Sequence, residues 1–288
     1  MTMTPAATEN STMVIRDIEG GAQLRAVQEL QKEVWGVPDL DVVPLSHLIA
    51  AKAAGGVLLG AFDHENLVGF VYGFVSYEHG RAGHHSQMLA VKPAFRNFNL
   101  GHKLKLAQRE RVLAQGIDVM TWTFDPLQSL NAYFNFNKLG VLADRYFSNF
   151  YGEEAASFLH RNGTDRLWVT WLLTSRRVNE RLDGTVHALA LESVPWLVQL
   201  GIDQSPRRKN LADGLSRDQA VIEIPADINT LERRSGELAC GWREATRWAF
   251  TEAIAAGYLV VDFCRQSRGD QRLGVYLLSR GKRLDDFS

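Results

Sequence analysis

The sequence predicts a mixed α/β protein in which helices cover a sheet, followed by a second, C-terminal α/β unit. Three observations carry this expectation. β-prone runs alternate with segments whose apolar residues recur every three to four positions. Glycine or proline punctuates the junctions between them. The chain has 288 residues, 45% hydrophobic and 23% charged, which is enough for one large core or two modest ones and excludes a disordered chain.

Met13 to Ile18 is a short β-prone run, and Gly20-Gly21 separates it from a helix with Leu24, Val27, Leu30 and Val34 at helical spacing. Trp35-Gly36-Val37-Pro38 stops that helix. A loop carrying Asp39 and Asp41 leads to a second helix from about Leu45 to Ala54, ended by Gly55-Gly56. Val57 to Phe62 and Leu67 to Tyr77, rich in Val, Phe and Tyr, flank the polar turn Asp63-His64-Glu65-Asn66 and should pair antiparallel. His84 to Val91 is a third extended run, broken by Pro93. Leu100 to Gln115 reads as a helix with Leu100, Leu104, Ala107 and Ala114 on one face and Gly116 where a left-handed cap belongs. Ile117 to Phe124 is a strand closed by Asp125-Pro126, and Gln128 to Leu139 is a helix ended by Gly140. Tyr146 to Tyr151 and Leu167 to Leu173 are extended, and a first domain closes at residue 174, having begun at residue 13.

Beyond Thr174 the texture changes. Arg176-Arg177, Gly184 and the basic loop Ser205-Pro206-Arg207-Arg208-Lys209 mark joints between shorter pieces. Val221 to Ile224, a helix from Gly236 to Ala256, Tyr258 to Cys264 and Leu273 to Leu278 make a second unit over residues 185 to 288. In its helix Trp242, Ala245, Ala249 and Ala256 read as core, and Arg243 and Trp248 as interfacial. The run from Ala253 to Phe263 echoes Val112 to Met120, as a degenerate internal repeat or as a chance recurrence of helix, glycine and strand.

Composition narrows the function. Lys+Arg 32 against Asp+Glu 33 provides no global positive field for a phosphate backbone, so nucleic acid is not an expected partner. The two cysteines, Cys240 and Cys264, are too few for a disulfide framework and fit a reducing cytoplasm. Met1 to Thr12 reads as a frayed leader, and no run reaches the roughly 18 consecutive apolar residues of a membrane helix. Metal-ligand spacing and a Gly-x-Ser-x-Gly elbow are both missing, so neither a metal nor a covalent intermediate is expected.

The richest stretch is Met88 to Lys103, which passes from strand through a tight loop into a helix. Such a junction aims unpaired backbone N–H groups and the positive end of a helix dipole at one point, a suitable cradle for a pyrophosphate, and Arg96, His102 and Lys103 add charge around it. The register Arg96-x-x-Asn99-x-Gly101 resembles the pyrophosphate loop of the GNAT superfamily of acetyl-CoA-dependent N-acyltransferases, Gln/Arg-x-x-Gly-x-Gly/Ala. Asn99 stands where that pattern has its first glycine, and Asn is among the residues that tolerate positive φ.

The resemblance covers residues 13 to 174 and implies a mostly antiparallel central sheet with helices on both faces. It also implies acetyl-CoA or a longer acyl-CoA as cosubstrate. Arg96, Asn97, Phe98, Asn99, Leu100, Gly101, His102 and Lys103 would surround the pyrophosphate, and main-chain groups of Leu89, Ala90 and Val91 would hold the pantetheine arm. In the helix that follows, Ala132, Lys138 and Gly140 match the family pattern, whereas Phe136 replaces its acid tyrosine and Ser129 its asparagine. Tyr133, roughly 60° around an α-helix from Phe136 and one turn earlier, is the substitute acid or else a half-buried packing residue. Asn131, Asn135 and Lys138 form a polar stripe on the other face, read as solvated or sheet-edge surface.

An amine acceptor must lose a proton, and His85 is the first candidate base, with Asp125 and Glu33 as alternatives. His84 and His85 should point to opposite faces. Glu33 to Gly36 and Thr123 to Leu127 also resemble a GNAT branch with a long C-terminal extension. The function implied is acyl transfer from CoA to an amine of a small molecule or peptide; the alternative is a non-catalytic acyl-CoA sensor. The extension would cap the acceptor, mediate a homodimer, or complete the sheet as a worn duplicate.

Overall fold

The computed structural model describes residues 13–78, 80–152, 162–185 and 188–287. Contacts divide the chain into two units, one ending at Thr121 and the other beginning at Trp122. The boundary falls inside a strand, whereas the sequence reading placed its joint at residues 174 to 185.

The first unit contains β1 (Val14–Asp17), α1 (Gly20–Trp35), α2 (Leu45–Ala53), β2 (Val57–Asp63), β3 (Asn66–Glu78), β4 (Arg81–Val91), α3 (Leu100–Ala114) and the start of β5 (Val119–Phe124). β1 pairs antiparallel with β2, β2 with β3 and β3 with β4. His64, at φ +55°, turns the β2–β3 hairpin. β4 meets β5 in parallel register at His84↔Met120 and His85↔Thr121.

Alternation along β3 decides which helix lies on which face. Phe70 and Tyr72 join Leu24, Val27 and Leu30 of α1 and Leu48 of α2 in one buried core. Gly73 faces the other way, toward Gln108 of α3: a Cβ there would lie 2.3 Å from His84 Nε2 and 2.9 Å from Gln108 Nε2, so only glycine lets these side chains in. Helices therefore cover both faces of this sheet. On α3 the buried face is Leu100, Leu104, Lys105, Gln108 and Val112; Ala114, expected on it, is exposed.

The second unit holds α4 (Ser129–Ala132), which continues as a π-helix over Tyr133–Leu139, then β6 (Leu142–Phe147), β7 (Arg166–Leu172), α5 (Arg176–Leu182), β8 (Trp196–Leu200), β9 (Pro206–Arg208), α6 (Leu211–Gly214), β10 (Gln219–Pro225), α7 (Ile228–Arg234), α8 (Gly236–Ala255), β11 (Tyr258–Arg268) and β12 (Gln271–Arg280). Its strands run in the order β7-β6-β11-β12-β10-β8-β9. β10 is parallel to β8; β6 with β7, β11 with β6, β11 with β12, β10 with β12 and β8 with β9 are antiparallel. The fold is thus mixed α/β with a mostly antiparallel sheet.

Several differences from the sequence reading have local causes. β6 starts four residues earlier than expected because buried Leu142 and Ala143 belong to it, and Asn149, at φ +48°, turns the chain after it. α5 and α7 are short helices started by the side-chain caps Ser175 and Asp227, a signal too local for periodicity to register. Trp242, Ala245 and Ala249 are core residues of α8, but Ala256 is exposed just past its last turn. Arg243, read as interfacial, is buried within the unit.

Candidate functional site

The β4–α3 junction is built in three steps. β4 carries a bulge: Tyr72 pairs with Met88 and Gly73 with Ser86, leaving Gln87 as the extra residue, which re-aims the strand beyond it. Leu89, Ala90 and Val91 remain paired with Val71, Phe70 and Gly69 through one edge. A 3₁₀ turn over Pro93–Phe98 then leads into Asn99, at φ +56° and ψ +24°. This is the left-handed geometry for which glycine or asparagine is suited.

At the start of α3 Lys103 N–H donates to the Asn99 carbonyl at 3.1 Å, and the amides of Leu100 and Gly101 lie in the turn before it. A Cβ at Gly101 would meet nothing nearer than Leu89 Cδ2 at 3.9 Å, which leaves open space over those amides. The Leu100 side chain is buried, Arg96, Asn97, Asn99 and Lys103 are exposed, and Phe98, Gly101 and His102 lie between. Arg96 Nε donates to the Val91 carbonyl at 3.4 Å, drawing the guanidinium back to the strand end.

The two adjacent histidines do face opposite ways. His85 is 9% exposed, its Nδ1 lies 3.0 Å from Thr121 Oγ1 and its ring packs 5.5 Å from Phe74. On the same side His47 of α2 meets the Tyr72 hydroxyl at 3.0 Å. Glu33 is spent on an ion pair with Lys92 at 3.0 Å.

His84 points to α3 and into a buried polar network that the sequence reading missed. Its Nε2 lies 3.2 Å from Gln108 Nε2; Ser86 donates to Gln108 Oε1 at 2.9 Å; and Lys105 Nζ donates to Ser86 Oγ at 2.7 Å. Burial pushes the Lys105 amine well below its ordinary pKa. Burial, then the charges of Lys105 and His85, pushes His84 down to about 3, and its Nδ1 is buried without a hydrogen-bond partner among the described residues. One signal was available: Gln108 continues the Leu100–Leu104 line at i+4, a polar residue where the apolar face should run.

Asp125, Ser129, Tyr133 and Phe136 belong to the second unit. Asp125, the alternative candidate base, is held by Arg243, whose Nη1 and Nη2 grip both its oxygens at 2.8 and 2.7 Å, and Oδ1 also accepts from Leu127 N–H at 3.0 Å. The same turn is held by the Tyr276 hydroxyl on the Pro126 carbonyl, 2.7 Å, and by a reciprocal Gln128–Asn229 amide pair at 3.1 and 3.0 Å. One helical turn on from Arg243, Arg247 holds Asp165 at 2.8 Å, with the Tyr146 hydroxyl on the same carboxylate at 2.6 Å. Burial alone would raise Asp165, but the bonds from Arg247 and Tyr146 hold it below its usual range.

The expected α-helix over 128–139 winds as a π-helix from Tyr133, with Gly140 N–H reaching the Asn135 carbonyl. The wider turn alters the angular argument that linked Tyr133 to Phe136. Tyr133 is half-buried, with Lys138 Nζ 5.8 Å from its ring centroid. Phe136 is fully buried, edge-on to Phe124 at 6.4 Å and Tyr276 at 5.8 Å. The polar stripe is likewise corrected: Asn131 and Lys138 are exposed, but Asn135 is buried and accepts from Trp122 Nε1 at 3.2 Å.

No helix among the described residues is long and apolar enough to cross a membrane. Among those residues no group of three His, Cys, Asp or Glu is placed to hold a metal.

No family model and no curated protein matches the chain. Among solved structures it is similar to an acetyltransferase of the GNAT family from Desulfovibrio desulfuricans, with a TM-score of 0.45 and 14% identity over 56% of this chain and 99% of the other. It is similar to the ribosomal-protein-S18-alanine N-acetyltransferase from Escherichia coli at a TM-score of 0.44 and 12% identity, over 56% and 94%. A third is the aminoglycoside 6'-N-acetyltransferase from Enterococcus faecium, at 0.43 and 16%, over 57% and 98%.

Proposed function

We propose that the chain is an acyltransferase that moves an acetyl or other acyl group from CoA to an amine of a small molecule or peptide. The observation that carries this reading is the left-handed Asn99 turn, which opens α3 directly after the bulged β4. It collects the amides of Leu100 and Gly101 beside the open space at Gly101, a main-chain cradle for a diphosphate that needs no metal. Arg96, His102 and Lys103 supply positive charge, and outward main-chain groups of Leu89 to Val91 hold the pantetheine arm.

In this reading the amine nitrogen attacks the thioester carbon, the C–S bond breaks, and the amine proton passes to His85, directly or through water. Thr121 fixes the ring of that base. Tyr133 returns a proton to the leaving thiolate; that role rests on its place in the helix after β5. The free thiols Cys240 and Cys264 fit work in the cytoplasm.

A second reading, a non-catalytic acyl-CoA sensor, is favoured by one observation: Phe136 fills the acid position with a buried ring that has no proton to give. Calorimetry with acetyl-CoA, paired with CoA release over a panel of amines and amino acids, separates them. The enzyme binds and turns over; the sensor binds only; no heat from acetyl-CoA, butyryl-CoA or free CoA rejects both. Gly101→Glu should abolish CoA binding, since the added carboxylate enters open space and leaves the fold intact. Tyr133→Phe should lower kcat with little change in cofactor affinity, and an unaltered rate removes it from the mechanism.

A further inference from the structure

Within the second unit, the start of α4, the β10–α7 turn and the β11–β12 hairpin border an open cavity of about 630 Å³, within the range of small-ligand sites. Three arginines line it: Arg233 of α7, whose Nη2 donates to Thr230 Oγ1 at 2.8 Å, Arg265 of β11 and Arg272 of β12. The register Arg265↔Gly274 and Ser267↔Arg272 puts Arg265 and Arg272 on the same face of adjacent strands as diagonal neighbours, so both reach the same stretch of that face. Neither makes an ion pair among the described residues, and both are exposed.

The lining also holds two carboxylates. Asp227 is engaged, accepting from the Thr230 amide at 3.0 Å and the Thr230 hydroxyl at 2.6 Å in the cap of α7, while Asp270 sits in the hairpin turn. A second, independent feature lies in the same wall. Ser129 is 3% exposed, and its hydroxyl is buried with no hydrogen-bond partner among the described residues, a group that gains by meeting a ligand oxygen.

We propose that this cavity is a binding site for a phosphate-bearing ligand, with Arg233, Arg265 and Arg272 on the phosphate oxygens and Ser129 as a further donor. Guanidinium forks match phosphate oxygens in pairs, and several forks share one phosphate more readily than one carboxylate. The acyl-CoA reading gives the three arginines no role, so the site adds to that reading if the phosphate is that of CoA and is independent of it otherwise. The phosphate is either the 3'-phosphate of CoA or that of a separate ligand.

The test is titration calorimetry on the full chain with 3',5'-ADP, inorganic phosphate, CoA and 3'-dephospho-CoA, for the wild type and R265E/R272E. Both positions are exposed and in no ion pair among the described residues, so the variant should melt as the wild type does; Arg272→Gln serves if it does not. At least one phosphate probe should bind the wild type and lose about tenfold or more in the variant. Ser129→Ala should cost a smaller factor. Equal affinity in wild type and variant, or no binding of any probe, overturns the proposal. A CoA preference over 3'-dephospho-CoA that vanishes in R265E/R272E assigns the phosphate to CoA. Arginine-dependent binding of 3',5'-ADP or inorganic phosphate without that preference assigns it to a separate ligand. Arginine-dependent phosphate binding in a chain that ignores CoA rejects the acyl-CoA reading alone; CoA binding lost in Gly101→Glu but untouched in R265E/R272E, with no phosphate bound, rejects this proposal alone.

Discussion

At the scale of single residues, the buried polar side chains carry the sharpest consequences. His84 titrates near 6.5 in an unfolded chain and at about 3 in the fold, because burial disfavours its charged form. Between those values the unfolded chain holds the extra proton, so stability rises with pH across the window and is lost as pH falls below 6.5. Urea unfolding from pH 7 to pH 4 should therefore decline more steeply for the wild type than for His84→Gln, by up to about 1.4 kcal/mol per pH unit. Parallel declines would show that His84 is not the titrating group. Lys105, also depressed, acts with the same sign but begins to act at higher pH, and it is common to both proteins.

Arg243 gives a second case. Removing it leaves the Asp125 carboxylate buried without its partner, so Arg243→Gln should cost about 3–5 kcal/mol. Asp125→Asn in the same chain should recover part of that loss, and additive effects of the two changes would contradict the pairing. Neither residue announced this role in the sequence. They stand 118 positions apart, and an aspartate next to proline reads equally well as a strand terminator and as a base.

Elements were legible where one period dominates. The hairpin β2–β3, the helices α1 and α8 and the glycine stops at Gly116, Gly140 and Gly257 follow from spacing and from left-handed caps. Where the burial pattern mixes chemistries, spacing misleads. The inner face of α3 carries Lys105 and Gln108, so its apolar line looked as if it ran through Ala107 and Ala114. The π-winding after Tyr133 is set by packing on Phe124, Trp122 and Tyr276, contacts remote in sequence. The Asn99 turn, in contrast, was legible from one residue, since few side chains other than asparagine accept its φ.

At the scale of the whole molecule, the structure shows why a boundary near residue 174 is visible in composition but not in contacts. The segment from Trp122 onward packs with the C-terminal residues: β6 pairs with β11 at Ala143↔Val260, Phe136 packs on Tyr276, and Asp125 and Asp165 are neutralised from α8. A chain cut after residue 174 bares the β6 edge and leaves two carboxylates without their arginines. Residues 13–174 made alone should therefore fail to give a soluble protein with dispersed amide resonances and a cooperative melt. A fragment that passes both measurements would show that these contacts are dispensable.

The lysine sealed beneath β4 has a practical use. Only 2% of Lys105 is reachable from outside, so an acylating reagent does not meet its amine in the closed fold. Its labelling clock in a mass spectrometer should be silent while the amino-terminal half stays shut and should start when that half breathes open, a built-in stopwatch that requires no engineered probe.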